Sequence, residues 1–231
     1  MLIITLDLDW APECAIEETL DFLQERKITP TVFVTHRSPR VEASFNELEI
    51  GLHPFFDPHS SHGSTIPEVV DTVLSFPHNI SAFRCHQFGV SNESKKALVN
   101  AGMTISSNVC TDLEILPPFR DRFALLEVPI FLEDGGYLWR KHPLMLENSL
   151  KKKLETDSPK VLLIHPMHFA INTPHFDYMV KIKKSTTREK WHALSKQELY
   201  HLKWKGWGIQ NFLTEILDAY PKTESLARSI A

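Results

Sequence analysis

The chain has 231 residues, enough for one large domain with a substantial core. Its 25 Lys and Arg against 29 Asp and Glu leave a net charge of −4, so it lacks the basic footprint of a nucleic-acid binder. No apolar run approaches the roughly 20 residues needed to span a bilayer, which excludes a membrane span.

The first predicted element is Leu2-Ile-Ile-Thr-Leu-Asp7-Leu-Asp9. It opens apolar and β-branched, as a buried strand does. Side chains two apart on a strand share a face, about 6–7 Å apart at about 3.3 Å per residue. Asp7 and Asp9 are thus expected side by side, with Leu6 and Leu8 facing a packed layer. Paired buried carboxylates call for a metal ion or a basic partner. No basic leader precedes Leu2, and Cys14, Cys85 and Cys110 show no CxxC spacing. These features predict reduced thiols and a cytoplasmic location.

Pro12 opens a helix over residues 13–26, with Ile16, Leu20 and Leu23 at helical spacing. Residues 29–35 form a buried strand, residues 36–46 a polar loop, and Leu48–His53 a strand ending on a histidine. Residues 54–64 form an irregular loop carrying Asp57, His59 and His62. Thr65-Ile-Pro-Glu68 is a capping box for the helix behind it. Ser81–Cys85 is a short strand near Arg84, and residues 91–101 a helix stopped by Gly102. Residues 103–106 and 125–131 are further strands, and residues 147–155 an exposed helix. Lys160–His165 is a buried strand, again ending on histidine. Residues 173–205 resist assignment. Ile209, Phe212, Leu213, Ile216, Leu217 and Tyr220 mark a final amphipathic helix.

About seven strands alternating with helices predict an α/β fold, a parallel sheet with helices outside. No repeat or linker divides residues 1–231, so a single domain is expected. Asp7, Asp9, His53, Arg84 and His165 all fall at C-terminal strand ends, where parallel α/β barrels build their sites. Carboxylate and imidazole are natural ligands of zinc and similar ions. Asp9, His53 and one residue among Asp57, His59 and His62 are therefore candidate ligands of a divalent metal. His62 is favoured because it immediately precedes the helix cap and neutral imidazole suits zinc. Trp10, beside the acids, is a packing residue or a platform for a sugar ring. His168 is either a structural histidine or an aid to substrate binding.

In order, Thr5-Leu-Asp7-Leu-Asp9, Glu49-Ile-Gly-Leu-His53, Phe83-Arg84-Cys-His-Gln-Phe88 and Val161-Leu-Leu-Ile-His165 resemble the motifs of the polysaccharide deacetylase family. The resemblance spans residues 2–172. It implies a distorted (β/α) barrel of about seven strands and hydrolysis of an N- or O-acetyl group on a carbohydrate. Carried over residue by residue, Asp7 would be the general base, Asp9 and His53 metal ligands, His165 the general acid, and Arg84 the group orienting Asp7. The chain departs from the family pattern in its Asp-Leu-Asp spacing and in His86, which replaces the proline usual after the motif arginine. The resemblance is strongest to members linked to surface-polysaccharide biosynthesis, and suggests an acetylated sugar precursor in the cytoplasm. A metal-dependent phosphoesterase and a non-catalytic carbohydrate-binding protein are the competing readings. The sequence leaves the oligomeric state open.

Overall fold

The computed structural model describes residues 1–230. Its strands are β1 (Leu2–Asp7), β2 (Thr31–Val34), β3 (Glu49–Leu52), β4 (Ala82–Phe83), β5 (Ile105–Ser106), β6 (Phe119–Arg120), β7 (Leu126–Glu127), β8 (Ile130–Glu133), β9 (Lys160–Ile164) and β10 (Thr223–Glu224). Nine of them run in the order β6-β7-β5-β4-β3-β2-β1-β9-β8, and β10 pairs with the start of β1. Every pairing is parallel except β6 with β7. The sheet curls into a half-barrel with helices around it. A parallel bridge from Cys110 to Ile130 ties the chain beyond β5 to β8 and draws the curl toward closure.

Strand alternation divides the interior. Leu2, Ile4 and Leu6, with Val32, Val34, Leu162 and Ile164, face outward into the core shared with the helices. The helix Glu13–Glu25 contributes Ile16, Leu20 and Leu23 to that layer, and Ile209–Ala219 contributes Phe212, Leu213 and Ile216. Ile3, Phe33, Val161 and Leu163 face the other way and form a smaller inner core with Leu226. That leucine comes from the C-terminal segment, which Glu49 also holds. The Glu49 carboxylate accepts from Ser225 Oγ at 2.6 Å and from the Ala227 and Arg228 amides at 2.8 and 3.1 Å.

Most expected elements recur, including the Thr65–Glu68 capping box and the left-handed Gly102 after Asn92–Asn100. Several regions differ. The expected strand over 125–131 splits into β7 and β8 around Val128-Pro129, because proline cannot donate to the ladder. Residues 36–46 include a short helix, Pro39–Ala43, capped by Ser38. The unassigned stretch folds as helices Phe176–Ser185, Arg188–His192 and Lys196–Leu202. The short strands β6 and β10 carry too few residues to show a period. Cys14, Cys85 and Cys110 are free thiols. No helix among the described residues is long and apolar enough to cross a membrane.

Candidate functional site

The inner face of β1 runs Ile3, Thr5, Asp7, so the pleat delivers a carboxylate to the barrel mouth. Arg84, immediately after β4, is fully buried beside it. Arg84 Nη1 donates to Asp7 Oδ1 at 2.8 Å and to Thr5 Oγ1 at 2.9 Å. Its Nε donates to the Ser107 carbonyl at 2.9 Å and its Nη2 to Ser107 Oγ at 2.8 Å. The guanidinium carbon lies 4.5 Å from the centre of the Phe33 ring. A buried charge needs this density of partners, since an unpaired one would cost several kcal/mol.

Asp9 reaches the same mouth by another route. β1 ends at Asp7, and Asp9 and Trp10 take left-handed backbone angles, with φ of 46° and 53°. Trp10 is fixed by its amide donating to Thr35 Oγ1 at 3.0 Å and by its ring against Phe55, His62 and His86. Asp9 Oδ1 then lies 3.1 Å from His53 Nε2 and 2.9 Å from His86 Nδ1. Burial opposes the charge on Asp9, but the imidazoles of His165, His53 and His86 outweigh it and hold the carboxyl well below its ordinary pKa. Asp9, His53 and His86 present ligand atoms all within 4.8 Å of one another. Among the described residues, buried His53 Nδ1 has no hydrogen-bond partner, and it stands 3.7 Å from Asp7 Oδ2. One carboxylate and two imidazoles, with a side open to the cleft, fit the donor set of a hydrolytic divalent-metal centre.

The expected third member, His62, does not join this group. Its Nε2 donates to the Thr35 carbonyl at 2.7 Å, and its Nδ1 accepts from the Phe55 amide at 3.2 Å. Both ring nitrogens are occupied by backbone, and burial lowers its pKa, so His62 is a neutral buttress beneath Trp10 and Phe55. Asp57 accepts from the His59 amide at 2.8 Å, and His59 is exposed; neither belongs to the group around Asp9. His86 stands with Asp9 and His53 instead. It is held by a turn in which Gln87 and Phe88 have positive φ. The signal in the sequence was the histidine where the family pattern has proline.

His165 follows β9 and faces Asp9, with Nε2 at 3.6 Å from Asp9 Oδ2. Its Nδ1 meets Asp134 Oδ1 at 2.5 Å, and its amide donates to Asp134 Oδ2 at 2.8 Å. Asp134, fully buried just past β8, was missed by the sequence reading. Its signal was an acid at a strand end, hidden by the split at Pro129. Burial works against a charged His165, yet the carboxylates of Asp134, Asp9 and Glu133 prevail and raise its pKa to about 10. His168 is the opposite case: burial lowers it to about 4. Asp7, Asp9, His53, His86, His165 and His168 line a cleft of about 1100 Å³, whose walls include Glu133, Trp139 and Trp191. Trp10 packs beneath its floor, while Trp207 lies outside it and donates to the Leu144 carbonyl at 2.6 Å.

No curated protein matches the sequence. Among solved structures, a protein of Bordetella bronchiseptica described as a polysaccharide deacetylase involved in O-antigen biosynthesis superposes with a TM-score of 0.82. The two share 21% identity over 94% of this chain and 90% of that one. A Mycobacterium smegmatis protein described as a polysaccharide deacetylase gives a TM-score of 0.51 at 16% identity, over 71% of this chain and 76% of that one. These likenesses establish the fold. The family described as WbmS-like polysaccharide deacetylase matches residues 4–183, most of the chain and every residue of the cleft's acid–histidine groups. The chain belongs to the WbmS-like polysaccharide deacetylase family.

Proposed function

We propose that this protein is a metal-dependent hydrolase that removes an acetyl group from a carbohydrate, a cytoplasmic precursor of a surface polysaccharide. The observation that carries the reading is the convergence, at one cleft, of three units: Asp7 with Arg84, Asp9 with His53 and His86, and His165 with Asp134. Asp9, His53 and His86 would hold the cation. A divalent ion there, with zinc expected from the ligand types, would polarise the acetyl carbonyl and lower the pKa of water.

The chain's own residues handle the protons. Asp7 Oδ2, free of Arg84, accepts a proton from the attacking water. Arg84 occupies Oδ1 and fixes the plane of the carboxylate. Water oxygen bonds to the acetyl carbon, and the bond from that carbon to the sugar nitrogen or oxygen breaks. His165 supplies a proton from Nε2 to the departing atom. Asp134 holds its Nδ1, so the transferable proton points into the cleft.

The products are acetate and an amino or hydroxyl sugar. The biosynthetic assignment draws on the B. bronchiseptica protein, whose description places it in O-antigen biosynthesis. The test is elemental analysis of protein purified without chelator, with acetate release measured across free and nucleotide-linked N-acetyl and O-acetyl sugars. Bound metal with acetate release is expected. Release of phosphate from phosphoesters without acetate release would overturn the reading.

A further inference from the structure

Glu133 and His168 line the cleft but take no part in the proton transfers assigned above. Their hydrogen bonding fixes what each can offer. Thr173 Oγ1 donates to the His168 carbonyl at 3.2 Å, so its own proton is committed. With the hydroxyl proton on that carbonyl, His168 Nδ1, 3.2 Å from the Thr173 oxygen, carries the proton between them. This leaves His168 Nε2 as a bare lone pair on a residue that is only 7% exposed and borders the cleft.

Glu133 ends β8 and folds its carboxylate back over Gly135 and Gly136. It forms no ion pair among the described residues; Arg140 Nε is engaged by Asp112 at 3.1 Å, and Arg140 Nη1 stands near Gly136. A Cβ on Gly135 would stand 2.7 Å from Glu133 Oε1 and 3.6 Å from His168 Nε2. The bare Gly135 backbone thus lets the Glu133 carboxylate fold in beside the His168 ring, an acceptor pair on the cleft wall. The pair lies beside His165, whose ring centre is 5.8 Å from that of His168. The Glu133 carboxylate accepts from the Gly136 amide, and its remaining lone pairs with those of His168 call for donors on the ligand. An apolar group would desolvate both without replacing the lost water contacts, and an anion would face the carboxylate.

We infer that Glu133 and His168 form a specificity subsite that accepts hydrogen bonds from free hydroxyl groups of the sugar ring carrying the scissile acetyl group. The inference rests on the deacetylase reading and names a feature its substrate must have. A purely structural Glu133, favouring the first helical turn, would change stability and leave selectivity alone.

The experiment compares wild-type protein with Glu133→Ala, His168→Phe and Gly135→Ala, all loaded with Zn²⁺. Gly135→Ala keeps both residues but pushes the Glu133 carboxylate out of place, since its Cβ would meet Oε1 at 2.7 Å, and melting curves verify that each variant is folded. Substrates are 4-nitrophenyl acetate, which has no sugar, and N-acetylglucosamine and N-acetylgalactosamine, free and UDP-linked, with their 3-O-methyl ethers. The wild type should prefer the free hydroxyl over the methyl ether. Each variant should lose that preference, and its sugar-over-ester ratio of kcat/KM should fall by about 10- to 100-fold, mostly through KM. Ester hydrolysis with no sugar accepted, or variants that keep the wild-type selectivity, would overturn the subsite alone. Hydrolysis of neither ester nor sugar would overturn the deacetylase reading and the subsite with it.

Discussion

Arg84 offers the most direct test of how the cleft is held together. Its guanidinium is fully buried and donates to Asp7, Thr5 and both the carbonyl and hydroxyl oxygens of Ser107. Replacing it with methionine keeps most of the volume but leaves the Asp7 carboxylate, 2% exposed, without its counter-charge. Breaking a buried pair from one side costs about 3–5 kcal/mol. Whole domains have only about 5–15 kcal/mol to lose. For a chain of this size each kcal/mol moves Tm by about 2–4 °C, so Arg84→Met should melt roughly 6–20 °C below wild type. Arg84→Met with Asp7→Asn removes both charges and should recover a large part of that loss. A double-mutant cycle by thermal and urea denaturation reads the coupling. If the two substitutions add without coupling, or if Arg84→Met melts within 2 °C of wild type, the pair is not an energetic unit and the reasoning fails.

Asp134→Asn should cut sugar deacetylation by about 100-fold or more while metal content is retained. In the metal-free protein it should also lower the His165 pKa from about 10, a shift read by NMR titration of the imidazole. His165 is raised above its unfolded value, so its contribution to metal-free stability is full below about 6.5 and lost as pH rises through about 10; urea midpoints across that window check the sign. His86→Ala should weaken metal binding, measured by competition with a chromogenic chelator, whereas His62→Ala should keep the metal and melt lower, because it strands the Phe55 amide and the Thr35 carbonyl at about 1–3 kcal/mol each. Wild-type metal affinity in His86→Ala, or loss of metal in a folded His62→Ala, would return the third ligand to the loop before the capping box. Glu49→Leu should lower Tm by several degrees, since Ser225 Oγ and the Ala227 and Arg228 amides lose their acceptor; an unchanged Tm would show that the C-terminal segment does not depend on it.

The parts of the fold legible in sequence are those whose signal is local. β1 and β9 carry runs of buried apolar residues, β3 is a short buried strand leading into a histidine, and the final helix repeats its apolar residues at a helical period. The residues at their ends, Asp7, Asp9, His53 and His165, with Arg84 after β4, do share one cleft mouth or its supporting wall. What stayed hidden depends on pairing between distant segments. Glu13 ties Ser38 and the start of the Pro39–Ala43 helix to the helix it begins, a contact across 25 residues. Asp134 lies next to His165 through the β8–β9 pairing, although 31 residues separate them. Choosing among histidines was harder still. His59 and His62 lie closer to His53 in sequence than His86 does, but β4 pairs with β3 and sends its continuation back across the site.

The spacing of the two acids shows how a correct expectation can rest on an incomplete cause. Alternation along one extended strand would put Asp7 and Asp9 on the same face. The chain does bring both to one site, but only Asp7 arrives on a strand. Leu8 still points into the outer core and is fully buried, while its amide continues the ladder to the Phe33 carbonyl at 3.2 Å. The chain then reverses through Asp9 and Trp10 in left-handed geometry, closed by the Ala11 amide on the Leu8 carbonyl at 2.7 Å. Aspartate tolerates that geometry; a bulky tryptophan does so only where its surroundings over-determine it. Those surroundings are Thr35, Phe55, His62 and His86. His62 is thereby connected to the Asp9 cluster without joining it: it braces the turn that aims the carboxylate. The intervening leucine also has a role in the spacing. It anchors the turn to the core and lets Asp7 remain on Arg84 while Asp9 swings toward His53, His86 and His165. One acid is held by the rigid sheet and the other by a strained turn, and the proposed function gives proton transfer to the first and cation binding to the second.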